Sequence, residues 1–124
     1  MINLLTPDRV VFKACVGKTK GDSLERNGSF CDVAVSQESP YAVIDASKDS
    51  MFKDYILITD EHVRSYLGKS LHAPDGTRIG TFCVLDHKPR NYSKVQHKLL
   101  TDTAASIENE IASLFSTLGA CPID

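Results

Sequence analysis

Two runs of the chain, 66–72 and 79–85, stand on either side of Pro74-Asp75-Gly76. That tripeptide is a turn with a physical basis: Pro presets φ, Asp bonds its own backbone, and Gly accepts a positive φ. Before it, 66–72 alternates larger and smaller side chains. After it, 79–85 is apolar at both parities, with Ile79, Phe82, Cys83, Val84 and Leu85. A strand apolar on both parities is covered on both faces. The pattern therefore predicts a central hairpin with a packed layer on each side.

The remaining elements follow in order. Residues 2–5 are a short apolar run, and Thr6-Pro7-Asp8-Arg9 reads as a turn into a β-branched strand over 10–16. Residues 17–28 are polar and glycine-bounded, a surface loop. Ser29 caps a short helix carrying Phe30, Cys31, Val33, Ala34 and Val35. A brief strand over 41–44 precedes an irregular stretch, 45–60, in which helical turns are expected and Met51, Phe52, Tyr55 and Ile56 point inward. From Ser93 the pattern is one long helix to about Leu118, opened by the capping box Ser93-x-x-Gln96 and stopped by Gly119 and Pro122. The fold class is α+β: an antiparallel sheet, the long C-terminal helix on one face, and short helices and loops over a pocket on the other.

Composition adds limits. The chain has 124 residues, 42% hydrophobic and 24% charged, which fits one domain with an ordinary core. A net charge of −2 with scattered basic residues gives no electrostatic case for nucleic acid. No apolar run approaches a membrane span, and the N-terminus has no secretory pattern, so the expected location is the cytoplasm. The four cysteines, Cys15, Cys31, Cys83 and Cys121, include no C-x-x-C pair and are expected to be reduced thiols, those in apolar contexts acting as small hydrophobes.

Candidate chemistry is sparse. The histidines 62, 72, 87 and 97 lack ligand spacing and read as surface residues. The acids Asp45, Asp49, Asp54 and Asp60 do not follow the EF-hand pattern, and Asp45 reads as a turn or cap residue. There is no G-x-S-x-G elbow and no glycine-rich phosphate loop. Arg64 and Arg90 read as structural partners of Asp86 or Asp45. The long helix carries Leu100, Ala104, Ile107, Ile111, Leu114 and Leu118 at alternating spacings of four and three, a heptad seam. Its surplus apolar surface predicts a homodimer through Leu100, Ile107, Ile111 and Leu114.

Four segments in order resemble the GAF domain of sensor histidine kinases and diguanylate cyclases. Ser29-Phe30-Cys31 resembles the start of that family's helix after its second strand. Val43-Ile44-Asp45-Ala46 with Asp49 and Phe52 resembles V-x-D-A-x-x-D-x-x-F. Val63-Arg64 with Tyr66, Gly68 and Leu71 resembles I-R-x-Y-x-G-x-x-L. Gly76, Ile79, Gly80, Thr81, Cys83, Val84, Asp86, Pro89 and Arg90 resemble the closing G-x-x-L-G-T-x-C-V-x-D-x-x-P-R. The resemblance spans about 1–111 and implies a six-stranded antiparallel GAF/PAS-like sheet, helices on one side and a ligand pocket on the other. The whole of 1–124 is then one domain, opening at the family's first strand without the helix that precedes it there. The implied role is sensory, with no chemistry of its own, signalling to an output domain in a two-component or similar system. The pocket is expected to be lined by Phe30, Cys31, Asp45, Tyr66, Thr81 and Cys83. A small-molecule ligand is expected, but nothing in the sequence names it or a cofactor. Two alternatives remain: an enzyme resembling the reductases of free methionine sulfoxide and using Cys31 or Cys83, and a dimerisation module without ligand.

Overall fold

The computed structural model describes residues 1–14 and 23–118. In chain order the strands are β1 (Ile2–Leu5), β2 (Arg9–Ala14), β3 (Ser23–Glu25), β4 (Tyr41–Val43), β5 (Ser65–His72) and β6 (Arg78–Asp86). The α-helices are α1 (Phe30–Ala34), α2 (Ile56–Thr59) and α3 (Lys94–Leu118), with a 3-10 turn at Ala46–Lys48. The strands form one six-stranded sheet in the order β3-β2-β1-β6-β5-β4, antiparallel throughout.

The central hairpin is β5–β6, paired from Ser65 opposite Asp86 to His72 opposite Arg78. Its turn closes as the residue types require. Gly76 sits at φ +89° and Asp75 accepts from Thr77 N at 2.9 Å. The β6 strand divides its side chains between two faces. Thr81 and Cys83 are buried on one, beneath α1 and the 45–60 stretch, whereas Phe82 and Val84 look toward α3. The first strand lies against β6, pairing Asn3 with Thr81, so the chain's opening segment sits at the sheet's centre. Gly80 permits this approach, since a Cβ there would stand 1.9 Å from the carbonyl oxygen of Asn3.

The helix starts also follow local chemistry. Ser29 Oγ accepts from Asp32 N at 3.1 Å, capping α1. The capping box of α3 is complete: Ser93 N donates to Gln96 Oε1 at 2.8 Å, and Gln96 N to Ser93 Oγ at 3.2 Å. The α3 helix lies chiefly over β5 and is tied to the last residue of that strand through Glu108, whose Oε2 accepts from His72 N at 2.6 Å and meets His72 Nδ1 at 2.8 Å.

Several expectations change. Within the stretch read as a loop, β3 forms on the sheet edge, because pairing with β2 supplies hydrogen bonds that no local pattern announces. Met51 and Ile56 do not point inward; they are 62% and 48% exposed, and Ile58 is buried instead. Phe52 is inside as expected. Arg90 pairs with Asp86, while Arg64 donates to the carbonyls of Ile58 and Val63 at 3.1 and 3.0 Å. On α3, Leu100 and Ala104 are buried against the sheet, which leaves Ile107 and Ile111 half-buried and Leu114 exposed. Among the described residues no helix is long and apolar enough to cross a membrane. The expectations for Cys15, Cys121, Gly119 and Pro122 lie outside the described residues.

Candidate functional site

Phe30 is the hub of the covered face. Its ring is 4.8 Å from Tyr66 and near-parallel to it, 4.7 Å from Phe52, and edge-on to Tyr55 at 6.0 Å. The Tyr66 ring in turn folds back over Gly68: a Cβ at that glycine would fall 2.1 Å from the tyrosine hydroxyl. Glycine here is a requirement of the site, because any side chain would displace Tyr66.

Beneath these rings lies a polar cluster built from four elements. Cys31 of α1 is the centre. Its Sγ receives Thr81 Oγ1 of β6 at 3.2 Å and Asn3 Nδ2 of β1 at 3.4 Å, and lies 3.7 Å from Tyr66 Oη of β5. The same Asn3 amide reaches Cys83 Sγ of β6 at 3.6 Å. Both thiols are free and buried. Asn3 is 1% exposed, and among the described residues its Oδ1 has no hydrogen-bond partner, nor does the Tyr55 hydroxyl. A cavity of about 20 Å³ touches Asn3, Phe30, Cys31, Tyr55, Tyr66 and Cys83. That is room for one water-sized group.

The electrostatics follow from the donors. Hydrogen bonding from Cys83 does most to bring the Cys31 thiol down, to about 6; Thr81, Tyr66 and Asn3 add to it, and burial works against it. Cys83 moves the opposite way. Its hydrogen bond to Cys31, its burial and the Cys31 charge all raise it, opposed mainly by the chain's amino group. Burial, and then negative charge on the neighbouring sulfurs, Cys31 foremost, also raise Tyr66. The opposite shifts favour the negative charge on Cys31 and the proton on Cys83, which suits Cys31 to act as nucleophile and Cys83 as proton donor.

Of the six residues expected to line the pocket, Phe30, Cys31, Tyr66, Thr81 and Cys83 come together here. Asp45 does not join them. It caps the Ala46–Lys48 turn, accepting from Ser47 N and Oγ at 3.1 and 2.6 Å, and these bonds hold its carboxyl below the usual range. Asn3 was missed. The available signal was a lone amide inside the apolar run Ile2-Asn3-Leu4-Leu5 of a strand. No group of His, Cys, Asp and Glu able to hold a metal occurs among the described residues.

Comparison with known proteins agrees with this architecture. The GAF domain family model matches residues 4–111. The chain belongs to the GAF domain family. It is 32% identical over 91 residues to a cyclic di-GMP phosphodiesterase of Pseudomonas aeruginosa, an alignment covering 73% of this chain and 15% of that protein. The chain thus spans a small part of that relative's length. Among solved structures, the GAF domain of an Acinetobacter phosphoenolpyruvate-protein phosphotransferase superposes with a TM-score of 0.70 at 19% identity, covering 95% of this chain and 72% of that one. The free methionine-R-sulfoxide reductase of Neisseria meningitidis, in complex with its substrate, superposes with a TM-score of 0.72 at 18% identity, covering 89% and 64%. The expectation that this fold brings no chemistry of its own is corrected by that last structure, since the same fold there is an enzyme.

Proposed function

We propose that this GAF domain is a sensory module whose input site is the cluster of Asn3, Cys31, Tyr66, Thr81 and Cys83, read out by an output domain in a longer protein. The carrying observation is Asn3 Oδ1, a buried acceptor without a partner among the described residues, beside a cavity that also meets the Tyr55 hydroxyl, likewise unpaired among them. Such groups are costly to bury unsatisfied, and a small ligand bearing a donor relieves that cost. Anything larger than a water-sized group enters only if the cover moves. The cover consists of a five-residue helix, a 3-10 turn and a four-residue helix, which is the least regular part of the fold.

The output proposed is cyclic di-GMP turnover, supported by the identity to the Pseudomonas phosphodiesterase. The reading is of a cytoplasmic domain, dimerised through the outer stripe of α3, where Leu114 is 55% exposed next to half-buried Ile107 and Ile111. Native mass spectrometry of the purified domain tests the input site. A co-purifying small molecule, lost in Asn3→Leu with Tyr55→Phe, is expected; a bare polypeptide mass under all expression conditions overturns the ligand.

A second reading is favoured by the thiolate–thiol pair itself: reduction of free methionine sulfoxide, with Cys31 as nucleophile. Thiol-dependent turnover that Cys31→Ser abolishes is its test.

A further inference from the structure

The two buried thiols are joined by polar contacts that packing of the fold does not require. Packing alone would be served as well by Ala and Val. Instead Cys31 accepts from Thr81 and from the Asn3 amide and lies within reach of the Tyr66 hydroxyl, and the Asn3 amide bridges to Cys83, at 3.4 and 3.6 Å from the two sulfurs. The sulfurs belong to elements far apart in sequence, α1 and β6. A bond between them would therefore tie the cover to the sheet. Beside them is a cavity of about 20 Å³ lined by Asn3 and Tyr55, whose Oδ1 and Oη are unpaired among the described residues.

We propose that Cys31 and Cys83 are a redox pair that a hydroperoxide converts to a disulfide, so that the input of this domain is oxidant. The proposal rests on the sensory reading in placing the input at this cluster, and it names the chemical class of that input. Hydrogen peroxide, with two heavy atoms, is the smallest oxidant of this class and so needs the least movement of the cover to enter the cavity of about 20 Å³, where a peroxide O–H can donate to Asn3 Oδ1.

The chemistry balances with the residues present. The Cys31 thiolate attacks one peroxide oxygen, the O–O bond breaks, and Cys31 becomes a sulfenic acid. The departing alkoxide, or hydroxide when the oxidant is hydrogen peroxide, takes the Cys83 proton and leaves as alcohol or water. The new Cys83 thiolate attacks the sulfenic sulfur and expels hydroxide, giving the disulfide. Two electrons pass from the two sulfurs to one peroxide. The product S–S bond, at about 2.05 Å, is shorter than any contact between unbonded sulfurs, so α1 must shift toward β6. The charge that Asn3, Thr81 and Tyr66 were solvating disappears in the same step. Both changes act on the Phe30–Tyr66 stack, the junction of cover and sheet.

The test uses the purified domain treated with hydrogen peroxide, quenched by alkylation and digested with trypsin without reduction. A linked pair of peptides, 27–48 with 79–90, is expected, with two of the four thiols lost and restored by dithiothreitol. In Cys83→Ser the expected product is a dimedone adduct at Cys31 and no linked pair. Full recovery of the thiols after excess peroxide overturns the proposal, as does linkage of Cys31 to Cys15 or Cys121. Disulfide formation with free methionine sulfoxide but not with peroxide overturns it in favour of the reductase reading. The unmodified protein alone supplies the linked-peptide result if Cys83→Ser does not fold. Ligand occupancy by native mass spectrometry is a separate readout, so the sensory reading and the redox proposal fail independently.

Discussion

The two faces of this sheet are built differently although one strand feeds both. On the α1 side, β6 presents Thr81 and Cys83, 0% and 1% exposed, under interlocked aromatic rings. On the α3 side it presents Phe82 and Val84, and Val84 remains 41% exposed. There a single helix leaves a groove of about 260 Å³ among Leu67, Phe82, Val84, Leu99 and Leu100. Val95 and Leu99 on α3 are 75% and 65% exposed. The face made of the most regular element is thus the sparsely packed one, and the face made of fragments is dense. Short irregular pieces can each be placed to fill a gap, whereas one straight cylinder touches a twisted sheet along a limited line. Polar chemistry is found where density excludes water, and apolar surplus where it does not.

The largest test of this contrast is Phe52→Ala. Phe52 is fully buried, and its loss should cost about 3–5 kcal/mol in urea unfolding, with Phe30→Ala in the same range. A loss under ~1 kcal/mol would mean that the dense face relaxes as readily as the sparse one. Next is Gly68→Ala, whose Cβ meets the Tyr66 hydroxyl at 2.1 Å. Overpacking of about 1–3 kcal/mol is expected, along with a changed near-ultraviolet tyrosine signal.

The pH response sharpens the contrast further, because among the described residues the perturbed thiols lie on the dense face. Cys31 titrates near 6 when folded, below its unfolded value of about 8.5. Its contribution is therefore full above the unfolded value and lost as pH falls through about 6. Cys83 is raised, so its contribution is present below about 8.5 and lost as pH climbs above that. The groups facing the pair are Tyr66, Tyr55 and the chain's amino group. Stability should rise from pH 6 toward about 8.5 and fall beyond it, and Cys31→Ser should flatten the rise in denaturant titrations across that range. A rise that persists in Cys31→Ser would assign it to other groups.

On the sparse side the effects are smaller. Ser93→Ala removes one half of the α3 capping box and should cost about 1 kcal/mol. Leu99→Ala, at an exposed position, should fall within about ±0.5 kcal/mol for the monomer. A larger loss that grows with protein concentration would show that a second copy covers this face; size-exclusion with light scattering, repeated with Leu114→Asp, reports that directly.

Much was decided by residues a few positions apart. The β5–β6 turn depends on Asp75, Gly76 and Thr77, the α1 start on Ser29 and Asp32, and the α3 start on Ser93 and Gln96. Each is a local hydrogen bond or a local backbone demand, so the sequence alone determined it. The apolar parities of β6 likewise determined that both faces would be covered. What the sequence left open spans longer separations. Asn3 reaches Cys31 across 28 residues and Cys83 across 80, and Thr81 reaches Cys31 across 50. Asp45 carried two expectations, a turn or cap role and a place in the pocket, and the local one held, since an Asx cap two residues away competes better than a distant site. Met51 and Phe52 are neighbours in an apolar stretch, and only the packed cover decided that Phe52 is inside and Met51 out. Periodicity selects faces where an element is regular. In the irregular 45–60 stretch it has no period to read, so tertiary packing alone assigns each side chain its environment.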